Sequence, residues 1–303
     1  MKIPTAWKPV SYIAYYGGQN KCTRLVGALA SSQEASIWVD AFAGSGTLTI
    51  NREVLFLKKS VMIEKSRPVC TMHKVLKDKD TYMEFIERVC KIEMTKSLFQ
   101  EAYSARGNGD YEGYSEMDIA IYEYILRTNC YSGIMGSYVK KNINYNNRYT
   151  NLLEIHDRYQ NCDIINGDSL PDIKKYAQME EAFLVLDPPF MKATRASTGQ
   201  YDHEYEDEQH EVLLDAIKNA KADIILMGYD KAVNSDEKNL YDIKLRESTE
   251  RQWYKFYVEK EDMVSKVEVG SKRNVKNQCM WINFYPHYSV RNNFAELDSL
   301  QKL

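Results

Sequence analysis

This chain lacks the residue patterns of a metal site or a disulfide framework. Its six cysteines (Cys22, Cys70, Cys90, Cys130, Cys162, Cys279) are scattered, with no C-x-x-C pair. That spacing argues against a structural zinc site and against a stapled secreted domain, and it points to a reduced, cytoplasmic setting. Long apolar runs are also missing. None approaches the roughly 18 residues of a membrane span, and the N-terminal stretch lacks the apolar core of a signal peptide. A soluble chain with no membrane partner is expected. Charge of one sign is missing too: 40 Lys and Arg against 43 Asp and Glu leave a formal net charge of -3, with a pI near 6.0. A uniformly basic coat is thereby excluded, but nucleic acid is not, because local patches make that footprint. There is no internal repeat and no low-complexity linker.

What is present has the rhythm of an α/β protein. With 303 residues, one large domain or a domain with an insertion is expected. Strand-like segments fall at 36–42, 60–64, 162–165, 182–186 and 222–227, and residues 207–221 carry apolar side chains at helical spacing. This alternation predicts a doubly wound, mostly parallel, Rossmann-like sheet. Residues 68–160 are long, polar and mainly helical in pattern, so they read as an inserted module. From 241 onward, at 241–245, 253–258 and 280–285, the pattern returns to strand character.

Asp187-Pro188-Pro189-Phe190 ends the apolar run 182–186. A buried strand stopped by two prolines places a carboxylate, a proline carbonyl and an aromatic face at the mouth of a sheet. Two acceptors suit the two N–H bonds of an exocyclic amine on a flat heterocycle, whose ring would lie against Phe190. On these four residues alone, an ordinary proline turn fits as well.

The first strand runs into Asp40-Ala41-Phe42-Ala43-Gly44-Ser45-Gly46. Glycines let a ligand approach the backbone at the carboxyl edge of such a sheet. The dinucleotide fingerprint needs a third glycine where this chain has Thr49, so a nucleoside without a pyrophosphate fits better than NAD. Glu64, about 20 residues on, stands where an acid accepts both ribose hydroxyls. Asp168, followed by Ser169, is placed to accept from an adenine amino group. Tyr15-Tyr16-Gly17-Gly18 with Lys21 has the makings of a wrap around an amino-acid moiety. Each of these also reads as a plain turn or loop when taken alone. Residues 126–150 contain no acid and carry Arg127, Asn129, Tyr131, Ser132, Tyr138, Lys140, Lys141 and Arg148. Cations for phosphates and amides or aromatics for base edges make a plausible DNA-facing segment. Lys272 and Arg273 offer a second acid-free grip, whereas residues 202–211 are acidic and read as a lid or structural segment rather than a metal box.

In this order, the aromatic-Gly-Gly segment, the glycine-rich turn, the long insertion and Asp-Pro-Pro-Phe together resemble the Dam-like family of adenine-N6 DNA methyltransferases. The downstream segments 202–210, 227–230 and 277–284 are similar to that family as well. Two positions depart from its pattern. Gln19 stands where a lysine usually follows the glycine pair, and Ser132-Gly133 stands where Asn-Gly is usual. The resemblance implies a site-specific enzyme, of the kind found in restriction–modification, that takes a methyl group from S-adenosylmethionine, leaves S-adenosylhomocysteine and needs no metal. It implies Asp187, Pro188, Pro189 and Phe190 as the catalytic clamp on an adenine flipped out of duplex DNA. It implies cofactor contacts from Tyr15, Tyr16, Gly17, Gly18, Lys21, Asp40, Phe42, Ala43, Gly44, Ser45, Gly46, Glu64, Asp168, Ser169 and Asp187. Residues 1–67 and 161–303 would form the catalytic domain of a monomer, and 68–160 its target-recognition domain. The rival readings are an RNA amino-group methyltransferase, which shares both short motifs but resembles a compact domain without the insertion, and a non-catalytic DNA-binding homologue.

Overall fold

The computed structural model describes residues 9–52, 57–107, 111–131, 133–141, 144–195, 201–230, 239–261 and 275–303. Among the described residues eight strands form one mixed sheet, and a two-stranded ribbon forms a second. In chain order the sheet strands are β1 (Ile37–Asp40), β2 (Lys59–Glu64), β5 (Cys162–Asn166), β6 (Ala182–Leu186), β7 (Asp223–Tyr229), β8 (Tyr254–Glu261), β9 (Val275–Ile282) and β10 (Gln301–Lys302). The ribbon is β3 (Cys130–Tyr131) with β4 (Ile134–Tyr138). Across the sheet the order is β10-β8-β9-β7-β6-β1-β2-β5. Strands β5, β2, β1, β6 and β7 run parallel, while β9 is antiparallel to both of its neighbours.

The mixed α/β class with a mainly parallel central sheet therefore stands as the strand pattern indicated. Strand β6 shows why. All five of its residues are buried, with Phe183 and Val185 facing one core cluster and Ala182, Leu184 and Leu186 the other. A strand covered on both faces needs an unbroken apolar run, and its period of two splits that run between the layers. On one face helix α1 (Thr23–Ser31) buries Leu25, Val26 and Leu29 in the same cluster as Phe183. The helices α8 (Leu170–Tyr176) and α9 (Asp207–Ile217) cover the other.

After β1 the chain builds outward through β2 to β5, then returns to the opposite side of β1 to lay down β6 and β7. The crevice beyond the carboxyl ends of β1 and β6 is thus a topological switch point, where open α/β sheets hold ligands. Between the adjacent strands β2 and β5 run α3 (Arg67–Lys77), α4 (Tyr82–Lys91), α5 (Lys96–Gly107), α6 (Glu116–Thr128), the ribbon and α7 (Tyr145–Tyr159). Their apolar side chains, among them Phe85, Ile125 and Ile155, share one core cluster with Tyr12, Ile50 and Met62. No helix among the described residues is long and apolar enough to cross a membrane.

One segment differs from its sequence pattern. Residues 241–245 form part of a helix, α10 (Leu240–Arg246), rather than a strand. The buried residues Tyr241 and Leu245 lie four apart, a spacing that fits either element. The Asn239 side chain decides it by accepting the Tyr241 N–H at 2.8 Å, which caps the helix.

The turn after β1 leads into a short helix, α2 (Thr47–Ile50), through Gly46 at φ 69°. A methyl group on Gly46 would sit 2.7 Å from the Tyr159 hydroxyl and 3.1 Å from the Met62 sulfur. Gly46→Ala combines left-handed strain with a buried clash. It should lower stability by about 2–4 kcal/mol in a denaturant titration; an unchanged midpoint would contradict this packing.

Candidate active site

The floor of the crevice is fixed by buried polar groups. Asp40 is 1% exposed, and its carboxylate accepts the Thr49 hydroxyl at 2.8 Å. Burial pushes its pKa up to about 6 against the opposing pull of those hydrogen bonds. Gly44, at φ 51°, lies under the Tyr15 ring so closely that a methyl there would be 2.9 Å from it. His73 Nε2 donates to the Gly44 carbonyl at 2.9 Å. Its Nδ1 faces the hydroxyls of Tyr12 and Tyr159. Burial lowers the His73 pKa to about 4, so the ring stays neutral and can donate from one nitrogen while accepting at the other.

Glu64 ends β2 beside this turn and is 5% exposed. One oxygen accepts the Gly44 N–H and the other the Ser66 N–H, each at 2.7 Å. Burial raises its pKa to about 7, with the two backbone hydrogen bonds pulling the other way. Each carboxylate oxygen can accept a second hydrogen bond, so the geometry leaves room for a pair of adjacent hydroxyls.

Asp187 follows β6 and stands at the meeting of two lobes. The first, about 610 Å³ with its mouth, is lined by Glu64, Asp168, Ser169 and Pro189 among others. The second, about 410 Å³, is lined by Tyr16, Gly17, Gly18, Gln19, Ala43 and Ser45. Both share Tyr15, Phe42, Gly44, Asp187 and Tyr201. The Gln19 amide donates to Asp187 Oδ1 at 2.9 Å. Most residues expected to touch a cofactor are thus brought to one cleft, with Asp40 and Gly46 supporting its floor.

Several expectations need correction. Lys21 is exposed and outside both lobes; the side chain from that segment that reaches the centre is Gln19, which is 4% exposed. Phe190 does not offer an open face, because it is 4% exposed and packed edge-on to Tyr229 with ring centroids 4.7 Å apart. Pro188 is buried beside it. The acidic segment contributes more than its composition suggested, since Asp202, His203, Glu204 and Tyr205 all line the first lobe.

The segment read as DNA-facing is only partly outward. Arg127 is 2% exposed, donates to Glu123 at 2.8 Å and pairs with Asp202 at 2.5 Å. Its guanidinium lies over the Tyr15 ring, 4.6 Å from the centroid. Asn129 is buried and donates back to Ile125. Arg148 is buried and donates to the Val89 carbonyl at 2.7 Å. The Tyr138 hydroxyl donates to the Met94 carbonyl at 3.1 Å. An unpaired buried cation is costly, and this explains why the two arginines turn inward to acceptors within the fold. Tyr131, Lys140 and Lys141 are exposed. Ser132, Lys272 and Arg273 lie outside the described residues. Arg127→Ala should therefore destabilise the protein by about 1–3 kcal/mol, because it takes from buried Glu123 one of its two arginine partners and leaves Arg106, at 3.1 Å, as the other. Thermal denaturation checks this, and an unchanged melting point would restore Arg127 as a surface contact.

Among the described residues no group of three or more His, Cys, Asp or Glu is arranged to hold a metal. No protein-family profile matches the sequence. No curated protein matches it either. Solved structures similar to it include three at low scores. A precorrin-8w decarboxylase from Methanobacterium thermoautotrophicum is 12% identical with a TM-score of 0.35, over 91% of this chain and 98% of the other. A putative methyltransferase, yhhF from Escherichia coli, is 12% identical with a TM-score of 0.32, over 93% and 92%. Protein LPL1258 from Legionella pneumophila is 13% identical with a TM-score of 0.35, over 93% and 92%. Scores this low carry no weight for function, which rests on the geometry of the cleft.

Proposed function

We propose that this chain transfers a methyl group from S-adenosylmethionine to the N6 amine of an adenine flipped out of duplex DNA. The observation that carries the reading is the position of Asp187. It stands at the switch point of the sheet, on the border of two lobes, one of which ends on the buried carboxylate of Glu64. The residues present fit the cofactor. Glu64 has acceptor capacity for a ribose diol, Asp168 stands at the rim of the same lobe, and the glycine turn leaves no bulk between them. Bound there, the cofactor would supply an electrophilic sulfonium methyl. Asp187 would accept a hydrogen bond from the amine and localise its lone pair, and the site would hold the amine in line with the methyl group. Methyl transfer would leave the amine nitrogen with one proton too many, and Asp187 is the group placed to take that proton and pass it to water. The exposed Tyr131, Lys140 and Lys141 support a nucleic-acid face on the ribbon side, where phosphate contacts would set orientation.

Parallel assays with tritiated S-adenosylmethionine on duplex DNA and on RNA test the substrate. Label is expected in DNA, and label in RNA alone would favour the rival amino-group RNA methyltransferase. Binding of DNA with no transfer to either would favour the non-catalytic homologue.

A further inference from the structure

We infer that Gln19 is a positioning residue for Asp187, and that Gln278 sets its orientation; the inference rests on the function proposed above. Gln278 lies on β9, opposite Tyr229 of β7, and is fully buried. Its side-chain amide donates to Gln19 Oε1 at 3.0 Å, and Gln19 Nε2 donates to Asp187 Oδ1 at 2.9 Å. The chain of donors runs one way. An ionised carboxylate only accepts, so Gln19 must turn its NH₂ toward Asp187, and its oxygen is then left for Gln278. Rotating the Gln19 amide by half a turn would set oxygen against carboxylate and NH₂ against NH₂.

Gln278 Oε1 has no hydrogen-bond partner among the described residues. Leaving a buried acceptor unpaired destabilises a fold, and a leucine would fill the same space without that cost. An amide kept at that cost is accounted for by what its other end does, which is to lock Gln19. With Oδ1 engaged by Gln19 at 2.9 Å, rotation of the Asp187 carboxylate is restrained at the border of the two lobes. A rotating carboxylate would spend part of its time misaligned, and misalignment lowers the rate without weakening the binding of the cofactor.

The test compares Gln19→Leu, Gln19→Lys, Gln278→Leu and the double variant Gln19→Leu/Gln278→Leu, by steady-state methyl transfer and by calorimetric binding of S-adenosylmethionine. Gln19→Leu should lower kcat on the order of 10–100-fold, the worth of a hydrogen bond to a charged group, with cofactor affinity within about twofold. Gln19→Lys keeps a donor to Asp187 but offers Gln278 no acceptor, so it should stay about 3–10-fold below wild type, level with Gln278→Leu and above Gln19→Leu. Gln278→Leu should cost about 3–10-fold alone and nothing further in the Gln19→Leu background, the coupling expected of groups that act as a unit. A cofactor affinity that falls in step with kcat in Gln19→Leu would overturn the inference and make Gln19 a cofactor contact. Additive losses, or a Gln19→Lys variant as slow as Gln19→Leu, would also overturn it. An active wild type with an unaffected Gln19→Leu sinks this inference alone, whereas a wild type that transfers no methyl group sinks the proposed function with it. If Gln19→Leu fails to fold, Gln19→Lys and Gln278→Leu carry the same comparison.

Discussion

Replacing Asp187 with alanine is expected to lower kcat by about 10³-fold, the scale of losing a group aimed at the charge that develops in the transition state. Cofactor affinity should stay within about threefold, because the nucleoside end of the lobe is held by Glu64 and the glycine turn. Asp187→Asn should be nearly as damaging, for a reason specific to this site. Gln19 presents an N–H donor at 2.9 Å, so an asparagine would turn its only acceptor toward Gln19. Its NH₂ would then face the substrate amine, donor against donor. Single-turnover methyl transfer with saturating cofactor reads both variants. An Asp187→Asn enzyme with rates near wild type would contradict the geometry, since it would mean that the carboxylate is not the group facing the amine.

The second large effect concerns Glu64, whose single carboxylate should produce two opposite pH slopes. Burial raises its pKa from 4.5 to about 7 in the folded protein. The native state therefore holds a proton that the unfolded chain has already released, and stability falls as pH climbs from about 4.5 to 7. Glu64→Gln removes this slope but sets its NH₂ against one of the two backbone N–H groups that Glu64 accepts, so the contribution of this position should be level between pH 5.5 and 8 without the variant exceeding wild type in stability. Asp40, raised to about 6, adds a loss of the same sign over a lower window and keeps it in the variant. Cofactor binding runs the other way, because two ribose hydroxyls donate best to the ionised form. Affinity should weaken below about pH 7, approaching tenfold per pH unit. Glu64→Gln should flatten that dependence and cost about 10–100-fold in affinity at pH 8. Melting curves and calorimetry at pH 5.5 and 8 measure both slopes. Wild-type cofactor affinity that is level across this range would remove Glu64 from the site.

The sheet and its switch point were legible because buried parallel strands need uninterrupted apolar runs, and 182–186 and 222–227 have them. Tyr15, Gly44, Glu64 and Asp187 could be named from spacing because a glycine turn and the end of the neighbouring strand must meet at one edge of such a sheet. What escaped the sequence depends on direction rather than on type. Arg127 and Arg148 look like phosphate contacts in one dimension, yet each has an internal acceptor that only the packed helices supply. Lys21 is the nearest lysine to the glycine pair, but two residues of offset turn it to solvent and bring Gln19 inward. Gln278 lies 259 residues from Gln19, so no local pattern could have joined them. Residues 241–245 show the remaining ambiguity, since a short stretch with apolar residues four apart satisfies both periods.

The most direct test of the central claim is the identity of the methylated nucleoside. DNA from cells expressing the protein, digested and resolved by mass spectrometry, should contain N6-methyldeoxyadenosine, and DNA from cells expressing Asp187→Ala should not. Methylcytosine in place of methyladenine, or N6-methyldeoxyadenosine that persists with Asp187→Ala, would contradict the account.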